Sequence, residues 1–96
     1  MESAIFSLGD NLSHPKTGEL LTEADRHRQL IRYSVWASES GFDAVHIGEH
    51  HFNAYMLSSP PVVLSAIGER VPDLILSTAV TLVPSLDPVR AAEDYS

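Results

Sequence analysis

The chain has 96 residues and a formal net charge of −7, which comes from 13 acidic side chains against 6 basic ones. This excess of negative charge disfavours a nucleic acid or an acidic membrane surface as a partner. The absence of cysteine excludes disulfides, thiolate metal sites and thiol catalysis, and without a signal-peptide pattern or an apolar run of ~20 residues we expect a cytoplasmic protein with no membrane partner.

The first predicted strand covers residues 4–8, whose sequence is AIFSL. Gly9, Asp10 and Asn11 break it, and a polar loop punctuated by a proline and a glycine continues through Leu21. Loops of this length in compact domains are often functional.

A helix is predicted from Thr22, a good N-cap residue, to about Ser40. Asp25 follows Thr22 at the spacing of a capping box, and Gly41 occupies the position of a C′ glycine. Trp36 is expected at the margin of the buried face. That face consists of apolar and small residues at three- and four-residue spacing: Leu30, Ile31, Ser34, Val35, Ala37 and Ser38.

The second predicted strand is the short apolar run from Ala44 to Ile47, and a cluster of titratable side chains follows it. The cluster consists of Glu49, His50 and His51. A buried strand that delivers a carboxylate and imidazoles at its carboxyl end is typical of an α/β active site.

A second helix is predicted to begin at Ser59 and Pro60, which serve as N-cap and first helical residue. Arg70 is placed in its last turn, where a positive charge suits the helix dipole, and Pro72 stops it. The predicted buried face of this helix consists of Val62, Val63, Ala66 and Ile67.

The third predicted strand covers residues 74–80, continues loosely to residue 83 and ends at Pro84. Ala79, near its end, is small enough to let a flat ligand approach the backbone, although simple packing explains an alanine equally well. Asp87 and Pro88 then repeat the cap-plus-proline pattern at the start of a third helix. In that helix Arg90 is expected to pair on the surface with Glu93 or Asp94.

The resulting order, β-α-β-α-β-α, predicts an α/β fold with a parallel sheet covered by helices. It matches the first three βα units of a (β/α)8 TIM barrel, which needs roughly 250 residues. We therefore expect residues 1–96 to be the amino-terminal part of a single, truncated barrel domain. A doubly wound sheet is the alternative architecture, but the first strand is not followed by the G-x-G-x-x-G pattern of a Rossmann nucleotide site.

The titratable cluster after the second strand suggests acid-base chemistry. Successive residues of an extended strand point to opposite faces, so Glu49 and His51 should share one side while His50 faces the other. An imidazole suits proton transfer or the stabilisation of a developing anion. The alternative interpretation is that these residues only close a strand end.

A metal site is the other chemistry that these residue types allow. His46, His50 and His51 supply imidazoles, and Glu49 or Asp10 supplies a carboxylate. The H-x-x-x-H spacing suits a helix, whereas here it bridges a strand and its loop. We therefore expect no metal site.

Five segments of the chain carry a resemblance to a known family. The chain resembles the amino-terminal part of bacterial-luciferase-like, flavin-dependent monooxygenases. Glu-His-His-Phe, followed at this distance by Thr-Ala-Val and then Pro-Val-Arg-x-Ala-Glu, is the specific combination. The matching segments are FSLG at 6–9, SGFDAV at 40–45, GEHHF at 48–52, LSTAV at 76–80 and LDPVRAAED at 86–94.

The resemblance implies a barrel enzyme that binds reduced FMN at the carboxyl end of its strands and uses O2 to oxidise a small organic substrate. It implies that His50 is the catalytic histidine and contacts the flavin, and that Thr78, Ala79 and Val80 form the flavin-contacting strand. That strand often carries a non-prolyl cis peptide bond, which here would join Ala79 to Val80. Tyr55, in the loop after the histidines, is the candidate substrate-binding residue.

The resemblance leaves several matters open. Some members of the superfamily use the deazaflavin F420 and transfer hydride without oxygen, so F420 is the alternative cofactor. A truncated, non-catalytic barrel segment is the alternative of a different class, because the family's flavin-phosphate ligands lie beyond the third helix. The resemblance also implies a reductase that supplies the flavin and a homo-oligomer, to which Leu30, Tyr33 and Trp36 are expected to contribute.

Overall fold

The structure is a computed structural model that describes residues 1–96. Its elements alternate between strand and helix, as the sequence predicts. They are β1 (Ala4–Ser7), α1 (Glu23–Glu39), β2 (Ala44–Ile47), α2 (Pro60–Gly68), β3 (Ile75–Thr78), a short 3-10 helix (Val83–Ser85) and α3 (Pro88–Asp94). None of the helices is long and apolar enough to cross a membrane.

The strands form one parallel sheet in the order β1-β2-β3, which confirms the predicted α/β architecture. The register pairs Phe6 with His46 and His46 with Ser77. Because paired residues share a face and faces alternate along a strand, these three side chains belong to one face of the sheet. Because all strands are parallel, their carboxyl ends lie at the same edge.

The hydrophobic core lies between the helices and the opposite face of the sheet. Val45 and Ile47 of β2 are fully buried there. The cluster contains nine buried residues: Leu30, Val45, Ile47, Leu57, Val63, Leu64, Ile67, Val71 and Leu74. The other face carries no helix, so Phe6 and Ile75 are 56% and 58% exposed.

Helix α1 has the predicted ends. The Thr22 hydroxyl accepts a hydrogen bond from the Asp25 N–H at 3.1 Å, and Gly41 has a φ of +84°, as a C′ glycine does. Leu30, Ser34 and Ala37 are buried, and the other predicted stripe residues are half-buried. The burial of Leu30 in the core makes its predicted role in a subunit contact wrong, because it is only 1% exposed.

Helix α2 turns a different face to the core from the one predicted. Val62 is 69% exposed and Ala66 is exposed as well, whereas Leu64 is buried with Val63 and Ile67. The helix ends at Gly68, so the prediction of Arg70 in the last turn is wrong.

Strand β3 is shorter than predicted and ends at Thr78. Pro84 therefore does not end the strand but lies inside the 3-10 helix. The predicted cap of α3 is present, because the Asp87 carboxylate accepts a hydrogen bond from the Arg90 N–H at 2.9 Å. The predicted surface pair forms between Arg90 and Asp94 at 3.3 Å.

Candidate active site

The loops that follow β1 and β2 form a common layer at the carboxyl edge of the sheet. Asp10 and Tyr55 make an isolated antiparallel bridge. Backbone hydrogen bonds reinforce it, from Asn11 N–H to the Ala54 carbonyl at 2.7 Å and from Met56 N–H to the Gly9 carbonyl at 2.9 Å. The long loop after β1 is thus tied to the loop that carries the histidines.

Two glycines allow these loops to lie close to the strands. Gly9 has a φ of +68°, and a Cβ there would lie 2.1 Å from the side chain of Leu57, which is fully buried. A Cβ on Gly48 would lie 2.7 Å from the Leu8 side chain and 3.4 Å from the Ala79 carbonyl oxygen. A larger residue at Gly9 would overlap the Leu57 side chain and adopt a strained φ, so this position requires glycine. At Gly48 the nearest atom is the end of the flexible Leu8 side chain, which can move aside.

Glu49 is the buried titratable residue of the cluster. Its Oε1 lies 2.7 Å from Nε2 of His51, and its Oε2 accepts a hydrogen bond from the Leu82 N–H at 2.9 Å. The predicted alternation is confirmed, because Glu49 and His51 meet on one side of the backbone. Sequence reasoning did not find Leu82, since a backbone donor 33 residues away leaves no pattern in the side chains.

His50 makes contacts that are separate from this pair. Its ring stacks on Tyr55, with the ring centroids 4.3 Å apart and the planes 22° apart. Its backbone N–H donates to the Leu57 carbonyl at 2.9 Å. The structure therefore brings together the candidate catalytic residue and the candidate substrate-binding residue, both of which are half-buried.

The candidate flavin strand lies beside β2. The Ala79 N–H donates to the Ile47 carbonyl at 2.9 Å. The peptide bond between Ala79 and Val80 is cis, which confirms that expectation. The Thr81 hydroxyl lies 2.8 Å from the Thr78 hydroxyl and 2.9 Å from the phenol oxygen of Tyr95, which sequence reasoning did not connect with the site.

A shallow depression on the uncovered face of the sheet reaches this edge. It has a volume of about 280 Å³ and is lined by Phe6, His46 and Ala79. Because Val80 is also largely exposed, the surface here is mainly apolar, with no lysine, arginine or carboxylate among the lining residues. Such a surface suits a flat, aromatic ligand rather than an ion.

Asp10 and His46 do not join the histidine cluster. The Asp10 carboxylate pairs with Arg26 at 3.4 Å, and Arg26 Nε donates to the Asp10 carbonyl at 2.7 Å. His46 lies on the uncovered face with Phe6. No group of three His, Asp or Glu side chains is arranged to hold a metal ion.

Comparison with known proteins shows the family to which the chain belongs. The family model described as luciferase-like monooxygenase matches residues 1–96. The chain belongs to the luciferase-like monooxygenase family. This assignment agrees with the resemblance carried by the five sequence segments.

Curated relatives of this luciferase-like chain are several times longer. An alkanal monooxygenase alpha chain from Photorhabdus laumondii is 32% identical over 70 residues, which cover 72% of this chain and 20% of the relative. An uncharacterized protein y4wF from Sinorhizobium fredii is 40% identical over 90 residues, which cover 93% of this chain and 25% of the relative. The chain thus spans a quarter or less of the length of these relatives.

A solved structure shares the fold. It is the oxygenating constituent of 3,6-diketocamphane monooxygenase from Pseudomonas putida, a type II Baeyer-Villiger monooxygenase in complex with FMN. The two superpose with a TM-score of 0.81 at 17% sequence identity, over 98% of this chain and 24% of that one. The luciferase-like chain therefore has the α/β fold of a part of this monooxygenase.

Proposed function

We propose that the complete protein is a flavin-dependent monooxygenase that uses reduced FMN and O2 to oxidise a small organic substrate. In this proposal residues 1–96 supply the first three βα units of its barrel and one wall of its flavin site. Family membership supports the reaction class, and the FMN bound to the structural neighbour supports the cofactor. The observation that carries the proposal is the apolar depression beside Ala79, next to the loop that bears His50.

The residues present fit a flat flavin ring. Gly48 has no side chain, Ala79 has one methyl group, and Val80 exposes an apolar side chain at the carboxyl edge of the sheet. Thr78, Ala79 and Val80 would hold one face of the ring by van der Waals contact. We expect the phosphate of FMN to be bound by residues outside this chain, because no cluster of basic side chains lies beside the depression.

When bound, reduced FMN supplies the electrons with which O2 is activated. His50 can act beside it because neither of its ring nitrogens forms a hydrogen bond within the chain, which leaves both available. With the cofactor bound, a protonated ring nitrogen of His50 would donate a hydrogen bond to an oxygen atom on which negative charge develops. An unprotonated ring nitrogen would accept a proton that the reaction releases. The stack with Tyr55 fixes the plane in which these nitrogens lie.

Tyr55 is the proposed substrate contact. Its ring covers one side of His50, so a substrate that approaches the histidine meets the edge or the hydroxyl of Tyr55.

A reductase that supplies reduced FMN and a homo-oligomer complete the proposal. Tyr33 and Trp36, whose rings lie 5.6 Å apart on the exposed side of α1, are the proposed subunit contacts.

The proposal is tested with the complete protein and two cofactors. Reduced FMN should bind, and a candidate substrate such as a cyclic ketone or a long-chain aldehyde should gain an oxygen atom only when the protein, reduced FMN and O2 are all present. Oxidised F420 with a candidate hydride-donor substrate under anaerobic conditions is the second arm, with bleaching of the F420 as the signal. An oxygenated product that requires the protein and reduced FMN supports the proposal, whereas F420 bleaching without any such product overturns it in favour of hydride transfer.

A further inference from the structure

Glu49 is a buried ionisable side chain that the proposed chemistry does not use. Its carboxylate is only 2% exposed. Burying a carboxylate is costly unless hydrogen bonds replace its hydration, and no lysine or arginine pairs with this one. The two nitrogen partners, His51 and the Leu82 amide, fill this role with one bond to each oxygen.

The two hydrogen bonds connect different loops. His51 follows His50 directly in the loop after β2, whereas Leu82 lies between the cis peptide bond and the 3-10 helix in the loop after β3. Glu49 thus connects the loop that bears His50, which is proposed to act on oxygen, with the Ala79–Val80 segment, which is proposed to hold the flavin ring. The loops also meet through the backbone at Gly48, whose Cβ position lies 3.4 Å from the Ala79 carbonyl oxygen.

We propose that Glu49 is a positioning residue for the flavin site. Its carboxylate locks the loop after β2 to the loop after β3 and holds the His51 ring with the proton on Nε2, and so sets the distance between His50 and the Ala79–Val80 segment. The inference rests on the proposed function for its effect on turnover. The contacts themselves are tested without turnover.

The requirement for a carboxylate follows from the chemistry of the two partners. An ionised carboxylate only accepts hydrogen bonds, so both of its oxygens match a donor. Glutamine has the same shape but one oxygen and one NH2 group. In Glu49→Gln the NH2 group must therefore face either the Leu82 N–H, where two donors oppose each other, or His51, whose Nε2 must then lose its proton to accept.

The experiment compares Glu49→Gln in the complete protein with Glu69→Gln, a control at an exposed glutamate after α2. Histidine-selective isotope labelling and NMR report which nitrogen of His51 carries the proton. Hydrogen exchange reports the protection of the Leu82 amide. We expect Glu49→Gln to change the His51 tautomer or to remove the protection of Leu82, while Glu69→Gln changes neither.

Turnover separates positioning from a purely structural contact. We expect Glu49→Gln to lower turnover about 10-fold to 100-fold, the range known for residues that orient metal-binding histidines, with flavin affinity unchanged. Altered contacts with normal turnover would overturn the positioning role, and unaltered contacts would overturn the link between the loops. If the complete protein bound no FMN, the proposed function would fail, while the two contact measurements would still decide whether Glu49 links the loop after β2 to the loop after β3.

Discussion

His50 is oriented by an aromatic stack and a backbone hydrogen bond. The Tyr55 ring covers one face of the imidazole, and the backbone N–H is tied to Leu57. Glu49 and His51 are hydrogen-bonded to each other. Both ring nitrogens of His50 are free of hydrogen bonds within the chain, whereas Nε2 of His51 is engaged, and this difference supports the proposal that His50 acts on the ligand and His51 supports the loop.

His50→Ala should lower turnover of the complete protein by ~10² to 10⁴ and change flavin affinity little. The reason is that the substitution removes a proton donor without removing the apolar surface at Ala79. Single-turnover kinetics and flavin titration measure the two effects. His51→Ala, the matched control, should lower turnover less, and equal losses in both variants would contradict the assignment of His50.

Two substitutions of Tyr55 separate the role of its ring, which stacks on His50, from the role of its hydroxyl. Tyr55→Phe keeps the ring and should leave turnover close to that of the wild type. Tyr55→Ala removes a stack of a kind worth ~0.5–1.5 kcal/mol, so turnover should fall by about 10-fold at most. A loss that is already complete in Tyr55→Phe would show instead that the hydroxyl contacts the substrate.

Helix α1 depends on a local network at its amino end. The Thr22 hydroxyl donates to the Asp25 carboxylate at 2.7 Å, and Arg28 donates to the same carboxylate at 2.9 Å. These hydrogen bonds lower the pKa of Asp25 below its ordinary value of 3.8, and the bond from Thr22 has the larger effect. The helix therefore begins at a defined residue although its first turn is exposed.

Thr22→Ala should destabilise the complete protein by ~1 kcal/mol, because it removes the acceptor for the Asp25 N–H. Urea unfolding monitored by circular dichroism measures the loss. Thr17→Ala, in the exposed loop before α1, is the control and should cost less. A cost for Thr22→Ala no larger than that of the control would contradict the capping role.

The same network predicts a pH dependence with a definite sign. Because folding lowers the pKa of Asp25, its contribution to stability is present above the unfolded pKa and is lost as the pH falls through the folded pKa. The contribution of Asp25 to the free energy of unfolding should therefore be constant near neutral pH and disappear only in acid, below pH 3.8. Measured between neutral pH and strong acid, the stability difference between wild type and Asp25→Asn should shrink on acidification, and growth of the difference would contradict the network.

Residues 1–96 leave one face of the sheet and one edge of the helix layer uncovered. Beside β1 a groove of about 640 Å³ is lined by residues that include Ile5, Tyr33, Trp36 and Phe42. Together with Phe6 and Ile75 on the bare face, it forms an apolar surface of the kind that soluble monomers rarely expose. The strands β1 and β3 are also open edges.

Residues 1–96 expressed alone should consequently associate rather than remain a stable monomer. Sedimentation at low micromolar concentration measures the association, and hydrogen exchange measures the protection of the strands. Ile75→Lys, on the bare face, should reduce association. Val62→Lys, on the equally exposed outer side of α2, should not. A monodisperse monomer with protected strand amides would contradict this prediction.

The sequence by itself determined the order of the strands and helices and the family, because their signals are local. The Thr22 cap, the positive φ of Gly41 and the Asp87-Pro88 start of α3 each depend on residues within one turn. The pairing of Glu49 with His51 follows in the same way from the alternation of an extended strand. The GEHHF and LSTAV segments also carried the resemblance that the family match confirms.

Only the tertiary structure decided which partners those residues meet. The choice of Leu64 over Val62 for burial depends on the direction from which α2 approaches the sheet, and both faces of that helix are apolar. The bond from Glu49 to Leu82 and the stack of His50 on Tyr55 join different positions of folded loops. No periodicity in the chain records such contacts, because they arise from the packing of segments whose relative positions are set only when the sheet forms.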